Sequence, residues 1–555
     1  MQYNSLFWLL LGLTGCSATQ VVATDEVPIL GPSFIANFDS SRAQAINEAK
    51  SEFPGIIEDL FSSGDLNRTD LIFAIDVFSA STNDSIYSYY HVGEGQEYAL
   101  GAGRLDDHTV SRIGSVSKLF TAYAIIAQAG IKIFSHPVTK YLPELASNLT
   151  SNPLQRIDWN DITVGALLSQ QAGSGGAGGF FEYTDNDVAR QKTEEFLKYM
   201  RDEQHPVISP FRTAAYSDAG YAVLGEVLAR LSGSNYLDAL HNSVLDPLRL
   251  NETSTTAPTG PGANVIDRSS QENSSWGYDI PLYEGSGGVY TSLADLRATG
   301  LSILNSEILP PTTTREWMKP HSGTGSLVGL VGAPWEITRL MIPVSPTSNR
   351  TRVCDLYLKA GGNGDYTSVI ALSPDHGLGY SILVAGSNAT DSRWPIRDAL
   401  GETFVRAAEY AAAENARDSL SGTFVSNSSE GTNMTLTVDD DQPGLGLESF
   451  YVNGEDTLGS AAARLYPTGL YADGTSLATQ YKAEGTILAS HRMIASGLPL
   501  PPRAAVEGGQ GGGLFDHSFV WLGVGFFGSL DEFILELVDG RLASIRAPYY
   551  DLVFN

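Results

Sequence analysis

From Lys118 to Gln128 the chain reads "KLFTAYAIIAQ", a run that is almost wholly apolar rather than striped along one face. A helix with that pattern is buried on all sides, and Gly130 ends it where a C-terminal glycine belongs. The run therefore predicts a helix inside a substantial domain. At 555 residues the chain exceeds what one hydrophobic core usually serves, so two domains are expected.

The flanking pattern sets the class. A helix is expected over Ser41 to Phe61, followed by "DLIFAIDVFSA" and "DSIYSYYHVG" as a strand pair joined by "STND". Helical patterns continue to about Leu304, among them "AGYAVLGEVLARLSG", where Tyr221, Leu224, Leu228 and Leu231 share a face. "VCDLYLKAGG" and "GLGYSILVAG" return to strand character, and "RDALGETFVRAAEYAAAENARDSL" reads as one closing helix. Strands, then helices, then strands indicate an α+β domain. Past Leu420 the segments are short and alternating, as in "NMTLTVDD", "QYKAEGTILASH", "SFVWLGVGFF" and "EFILELVDGRLASIRA", the last a hairpin turning at Asp539 and Gly540. The expected division is an N-terminal signal over 1–18, an α+β domain over 30–415 and a β-rich domain over 416–555.

Chemistry concentrates where the buried helix begins. A serine hydroxyl is a weak nucleophile unless a base within hydrogen-bond reach takes its proton. Ser115 and Lys118 stand three residues apart, on one helix face, and form the sole Ser-x-x-Lys pair in the chain. Apolar surroundings favour a neutral lysine, the form a base needs. Ser117 is a neighbouring candidate, but its spacing points it away from Lys118. Farther on, "FRTAAYSDAGYAVL" puts Tyr216 and Asp218 in a turn before a helix, where Asp218 has a plain role as N-cap. "LYLKAGGNGDYTSVIAL" gives a strand bearing Lys359, Ala360, Gly361 and Gly362.

Taken in order, these three stretches resemble the serine β-lactamase and penicillin-binding protein superfamily, most closely its class C β-lactamase and esterase branch. "VGALLSQQAG", "GSGGVYTSLADL" and "HPVTKYLPEL" add to the resemblance, which covers roughly Asp70 to Ala408, and the long chain is similar to secreted fungal β-lactamase-like proteins. The resemblance implies an antiparallel sheet with a helical domain, the β-lactamase/transpeptidase-like fold. It also implies Ser115 as acylated nucleophile, Lys118 as base or relay and Tyr216 as proton shuttle to the leaving group. Lys359 would orient Tyr216 and attract a substrate carboxylate, Asp218 and Gly361 would border the substrate, and the amides of Ser115 and Gly362 would form the oxyanion hole. Asp218 replaces the family's Asn, and Ala360 a frequent Thr. An ionised Asp donates no hydrogen bond to a substrate amide, which weighs against β-lactams and leaves esters open. An acyltransferase of the same fold and a non-catalytic binding protein are the alternatives.

The remaining features bound the setting. A formal charge of −29, spread rather than gathered in a tail, argues against nucleic acid and anionic membrane as partners, leaving a small-molecule or peptide acyl substrate. Leu6 to Leu13 followed by small residues reads as a secretory signal cut near Ala18. Sequons at Asn67, Asn83, Asn148, Asn251, Asn273, Asn349, Asn388, Asn427 and Asn433 point the same way, towards a secreted glycoprotein. After cleavage at Ala18, which removes Cys16, Cys354 stands alone and is expected as a buried thiol. There is no Gly-x-Ser-x-Gly and no His or Cys metal spacing, so no metal or other cofactor is expected, and His91, His376 and His517 are expected on the surface or in strands. The Gly-rich stretch "EGGQGGGLF" reads as a flexible loop, and "QAGSGGAGGFF" as a connector or a border of the site. Oligomeric state is left open by the sequence.

Overall fold

The computed structural model describes residues 30–146, 154–176, 186–259, 264–268, 274–459, 461–495, 526 and 528–555. The signal reading, Asn148, Asn273, His517, "EGGQGGGLF", nearly all of the strand expected at "SFVWLGVGFF" and part of "QAGSGGAGGFF" lie outside them. The chain forms two compact units. One comprises Asn47–Arg339 with Asp355–Val405; the other takes the described residues up to Ile46, Leu340–Cys354 and Arg406–Asn555.

The first unit is α+β. An eight-stranded sheet runs in the order Asp84–Val92, Ile72–Ser79, Leu378–Ala385, Tyr366–Ser373, Thr351–Asn363, Glu336–Pro343, Gly329–Val331, Ser322–Gly323, and all of it belongs to this unit except residues 340–343 and 351–354. The registered pairs are antiparallel, so the N-terminal hairpin sits beside the strands that follow the helices and the sheet gathers both ends of the domain. Every residue of Ile72–Ser79, Tyr366–Ser373 and Leu378–Ala385 is buried, which is why those strands read as near-continuous apolar runs rather than alternating ones. Helix Leu293–Leu304 packs on the first and third of these strands, and helix Ala389–Leu400 on the second and third.

Three details differ from the sequence reading. The expected closing helix begins at Ala389 and is interrupted by a wide turn over Gly401–Val405 before it resumes as Arg406–Ser419. The domain boundary expected at 415/416 falls inside that last helix, because Ala412, Ala413 and Ala416 belong to the core of the second unit. His376 is neither exposed nor in a strand: it is buried in the turn before Leu378, with its ring 2.7 Å from the Ser373 hydroxyl.

The second unit carries a nine-stranded antiparallel sheet, along which Gly422–Val425, Asn433–Thr437, Leu445–Val452, Ala463–Ala472, Thr486–Ala495, Glu532–Val538, Arg541–Ala547 and Leu552–Phe554 follow in chain order. Here alternation holds. Phe533, Leu535 and Leu537 point inward between half-buried neighbours, and Phe450 packs edge-on against Phe533, Tyr550 and Phe554. Asp539 and Gly540 both take positive φ, 50° and 76°, as a two-residue hairpin turn of the primed type requires. Cys354 is buried.

Candidate active site

The site is built where a tight turn meets the sheet. Gly114, at φ 49°, turns the chain out of the short strand Ser111–Arg112 into the 3-10 turn Gly114–Val116 and the helix Ser117–Ala129. The turn lies against the end of strand Thr351–Asn363 with no room for side chains: a Cβ on Gly114 would sit 2.5 Å from the Gly362 nitrogen, and one on Gly361 would sit 2.7 Å from the Ser115 nitrogen. These two glycines bring the amides of Ser115 and Gly362 to one place, with Gly362 itself exposed. Between Thr109 and Ile126 every residue is buried except Ser115, so the only side chain that segment offers to solvent is this hydroxyl.

Lys118 lies one turn on, fully buried, and its Nζ donates to Ser115 Oγ at 2.9 Å. The same ammonium meets Asp218 Oδ1 at 2.6 Å, the Ser286 carbonyl at 2.8 Å and Ser286 Oγ at 2.9 Å, while Ser286 donates to Asp218 at 2.8 Å. The expectation of a neutral Lys118 rested on apolar surroundings alone, whereas the structure ion-pairs it with a carboxylate. Ser117 is removed as a rival: its buried hydroxyl donates to the Gly114 carbonyl at 2.7 Å and accepts from the Val289 amide at 3.0 Å, which fixes the nucleophile turn.

The turn before helix Asp218–Ser232 supplies the second wall. Ser217, not Asp218, is the N-cap, accepting from the Gly220 amide at 3.0 Å. With a serine capping the helix, Asp218 occupies its first position and turns its carboxylate towards Lys118. Burial resists its ionisation, but Lys118, Ser286 and the more distant Lys359 outweigh that and hold its carboxyl below the usual range. Tyr216 is about half exposed, with its ring 5.0 Å from Lys118 Nζ and 5.4 Å from Lys359 Nζ.

Lys359 arrives from the third wall. It is buried, its Nζ donates to the Ala360 carbonyl at 2.7 Å, and it forms a short ion pair with Glu336 Oε1, whose other oxygen accepts from the Ala360 amide at 3.0 Å. Burial pulls the Lys359 ammonium down, and Glu336 with Tyr216 reverses this to leave it above its ordinary value. Arg393, on helix Ala389–Leu400, donates to the Gly361 carbonyl at 2.7 Å and to Thr367 Oγ1, bracing the strand from behind. Ser115, Lys118, Tyr216, Asp218, Lys359, Gly361 and Gly362 are thus brought together. Ser286, Glu336 and Arg393 join them without having been singled out in sequence. Ser286 lay inside the quoted "GSGGVYTSLADL"; Glu336 and Arg393 carry no spacing signal. Among the described residues no group of three His, Cys, Asp or Glu is placed to hold a metal ion.

Comparison with known proteins gives the family. Residues 88–402 match the family described as Beta-lactamase, and residues 412–555 match a family described as Beta-lactamase-like-like, C-terminal domain. The chain belongs to the beta-lactamase family of hydrolases, with the serine β-lactamase and penicillin-binding protein superfamily as its wider group. A beta-lactamase-like protein of Arthroderma benhamiae is 29% identical over 489 residues, 78% of this chain and 79% of the relative. A probable hydrolase, M10, of a Phoma species is 27% identical over 422 residues, 69% of this chain and 66% of its own length. A beta-lactamase of Escherichia coli is 25% identical over 339 residues, 53% of this chain and 80% of that enzyme.

Proposed function

We propose that the protein is a secreted serine hydrolase that forms an acyl-enzyme on Ser115 and acts on an ester, amide or lactam, with esters favoured. The observation that carries the reading is the 2.9 Å contact from Lys118 Nζ to the one half-buried hydroxyl in an otherwise buried segment. In this reading Ser115 Oγ attacks the substrate carbonyl carbon and its proton passes into the Lys118 and Tyr216 pair. An ammonium has no lone pair, so the accepting group is a deprotonated Lys118 or Tyr216. The amides of Ser115 and Gly362 receive the oxyanion, a contribution of about 3 kcal/mol to barrier lowering for one such donor. Collapse breaks the bond to the leaving alcohol or amine, which takes the proton from Tyr216, and water then releases the acid. Asp218 presents an oxygen already bound to Lys118 and Ser286, with no donor for a lactam amide, which supports the preference for esters.

Secretion and glycosylation belong to the same proposal. Asn67, Asn83, Asn251, Asn349, Asn388 and Asn427 are exposed and Asn433 is half-buried, as glycan acceptors need. Among the described residues no helix is long and apolar enough to cross a membrane.

The test is the intact mass of deglycosylated protein after a fluorophosphonate, an activated ester and a penicillin in parallel, with peptide mapping. The expected result is an adduct on Ser115 with the first two, lost in Ser115→Ala at unchanged circular dichroism. Full turnover by that variant would remove Ser115 from the mechanism.

A further inference from the structure

The ammonium of Lys359, which the sequence resemblance assigns to a substrate carboxylate, is already occupied. Its side chain is 2% exposed and that of its partner Glu336 is 36% exposed, so what this part of the site presents to solvent is the carboxylate, not the ammonium. One Lys359 proton is spent on Glu336 and another on its own strand at the Ala360 carbonyl. Ala360 adds no side-chain donor, and its amide is spent on the second Glu336 oxygen. Arg393 is a further cation near Gly361; its Nη1 is committed to the Gly361 carbonyl and Thr367, while its buried Nε has no hydrogen-bond partner among the described residues and does not reach solvent.

We infer that Glu336 is a specificity-determining residue, which by holding the charge of Lys359 makes the acyl site select substrates with no carboxylate near the scissile bond. The inference rests on the Ser115 acyl-enzyme reading for its chemistry and adds the substrate class, neutral esters. A carboxylate brought to Lys359 would have to displace Glu336 or share one ammonium with it at close range, and like charges so placed repel. The ion pair is also stable in kind: Glu336 keeps the fully buried Lys359 protonated against desolvation. Discrimination then comes from a repulsive element built into the site rather than from a missing attraction.

Two aryl esters that differ only in a carboxylate or a carboxamide on the leaving group test this in the full-length protein. The wild type is expected to give a ratio of kcat/KM, carboxylate over carboxamide, of one or below. In Glu336→Gln, which keeps an oxygen for the Ala360 amide, the ratio should rise about tenfold, the scale of one freed charge. A ratio that stays put, including equal losses on both esters, overturns the inference and leaves Glu336 a structural residue. If Glu336→Gln does not fold, the wild-type ratio across a sodium chloride series decides: a ratio above one that falls with salt marks a free ammonium and overturns it, and a ratio of one or below that does not fall supports it. Failure of the acyl-enzyme reading shows separately, as turnover that persists in Ser115→Ala, because the ratio is read whichever group carries the acyl chain.

Discussion

Lys118 and Lys359 approach the same tyrosine ring from two walls, at 5.0 Å and 5.4 Å, and each is buried against one carboxylate. They differ in what else they hold. Lys118 reaches the Ser115 hydroxyl and shares Asp218 with Ser286, so, besides its bond to the Ser286 carbonyl, it sits in a chain of side-chain hydrogen bonds that a proton can cross. Lys359 spends its bonds on Glu336 and on a carbonyl of its own strand, so it holds a fixed charge at a fixed place. Two buried lysines in one site are therefore not two copies of one device: the first is wired to the reacting hydroxyl, the second to the scaffold.

The largest effect that would break this contrast comes from removing each amine. Lys118→Met and Lys359→Met both strand a partly buried carboxylate, so both should cost stability. Their catalytic losses should diverge: about 10³-fold or more in single-turnover acylation by an activated ester for Lys118→Met, against roughly 10- to 100-fold for Lys359→Met. Equal losses, with both proteins folded by circular dichroism, would mean that the two lysines share one role.

A smaller effect sharpens it. Asp218→Asn keeps an oxygen for Lys118 and Ser286 and deletes the charge. Loss of that charge beside the Ser115 relay should move the rising limb of kcat/KM against pH to lower pH. The folded Asp218 carboxyl lies below its ordinary 3.8, so its contribution to stability is present above that pH and fades as pH falls through the lower folded value; the variant should lack that acid-side loss. A rate profile that does not move would place Asp218 outside proton traffic.

The contrast also explains what the sequence could disclose. Ser115 with Lys118 is a local pair on one turn of helix, and Tyr216 with Asp218 lies beside a legible helix start, so both were readable without knowing the fold. Asp218 was given the wrong local job because Ser217 and Asp218 are both good caps, and only the backbone decides which one sits at the N-cap. Glu336 was out of reach for a different reason. Its meeting with Lys359 is set by sheet order, which places Glu336–Pro343 next to Thr351–Asn363, and a lone glutamate after a tryptophan announces no such neighbour. The same holds for Arg393, which reaches Gly361 from a helix that follows two further strands. Buried strands and the interior helix were legible from apolar runs, whereas the wide turn at Gly401–Val405 leaves no mark that separates it from ordinary helix.

The smallest expected effect concerns how Lys118 is framed. Ser286 is delivered by the short helix Glu284–Gly287, and Glu284 at its start is a half-buried acid whose carboxyl is pushed up to about 7, first by desolvation and then by Asp279 and Glu226, against a hydrogen bond with Thr255. Between its ordinary 4.5 and about 7 the folded state holds a proton that the unfolded chain has released, so stability falls as pH rises through that window. Glu284→Gln removes the titration and keeps the shape. It should therefore gain stability relative to wild type at pH 8 but not at pH 4, by a few kcal/mol at most, read from urea midpoints at both pH values. A pH-independent difference would remove Glu284 as the source. Lys359 is framed instead by Glu336, an acid that is ion-paired where, among the described residues, Glu284 is not, so a loosening above pH 7 should weaken the Lys118 side first: wild-type kcat/KM should fall there while Glu284→Gln holds its rate.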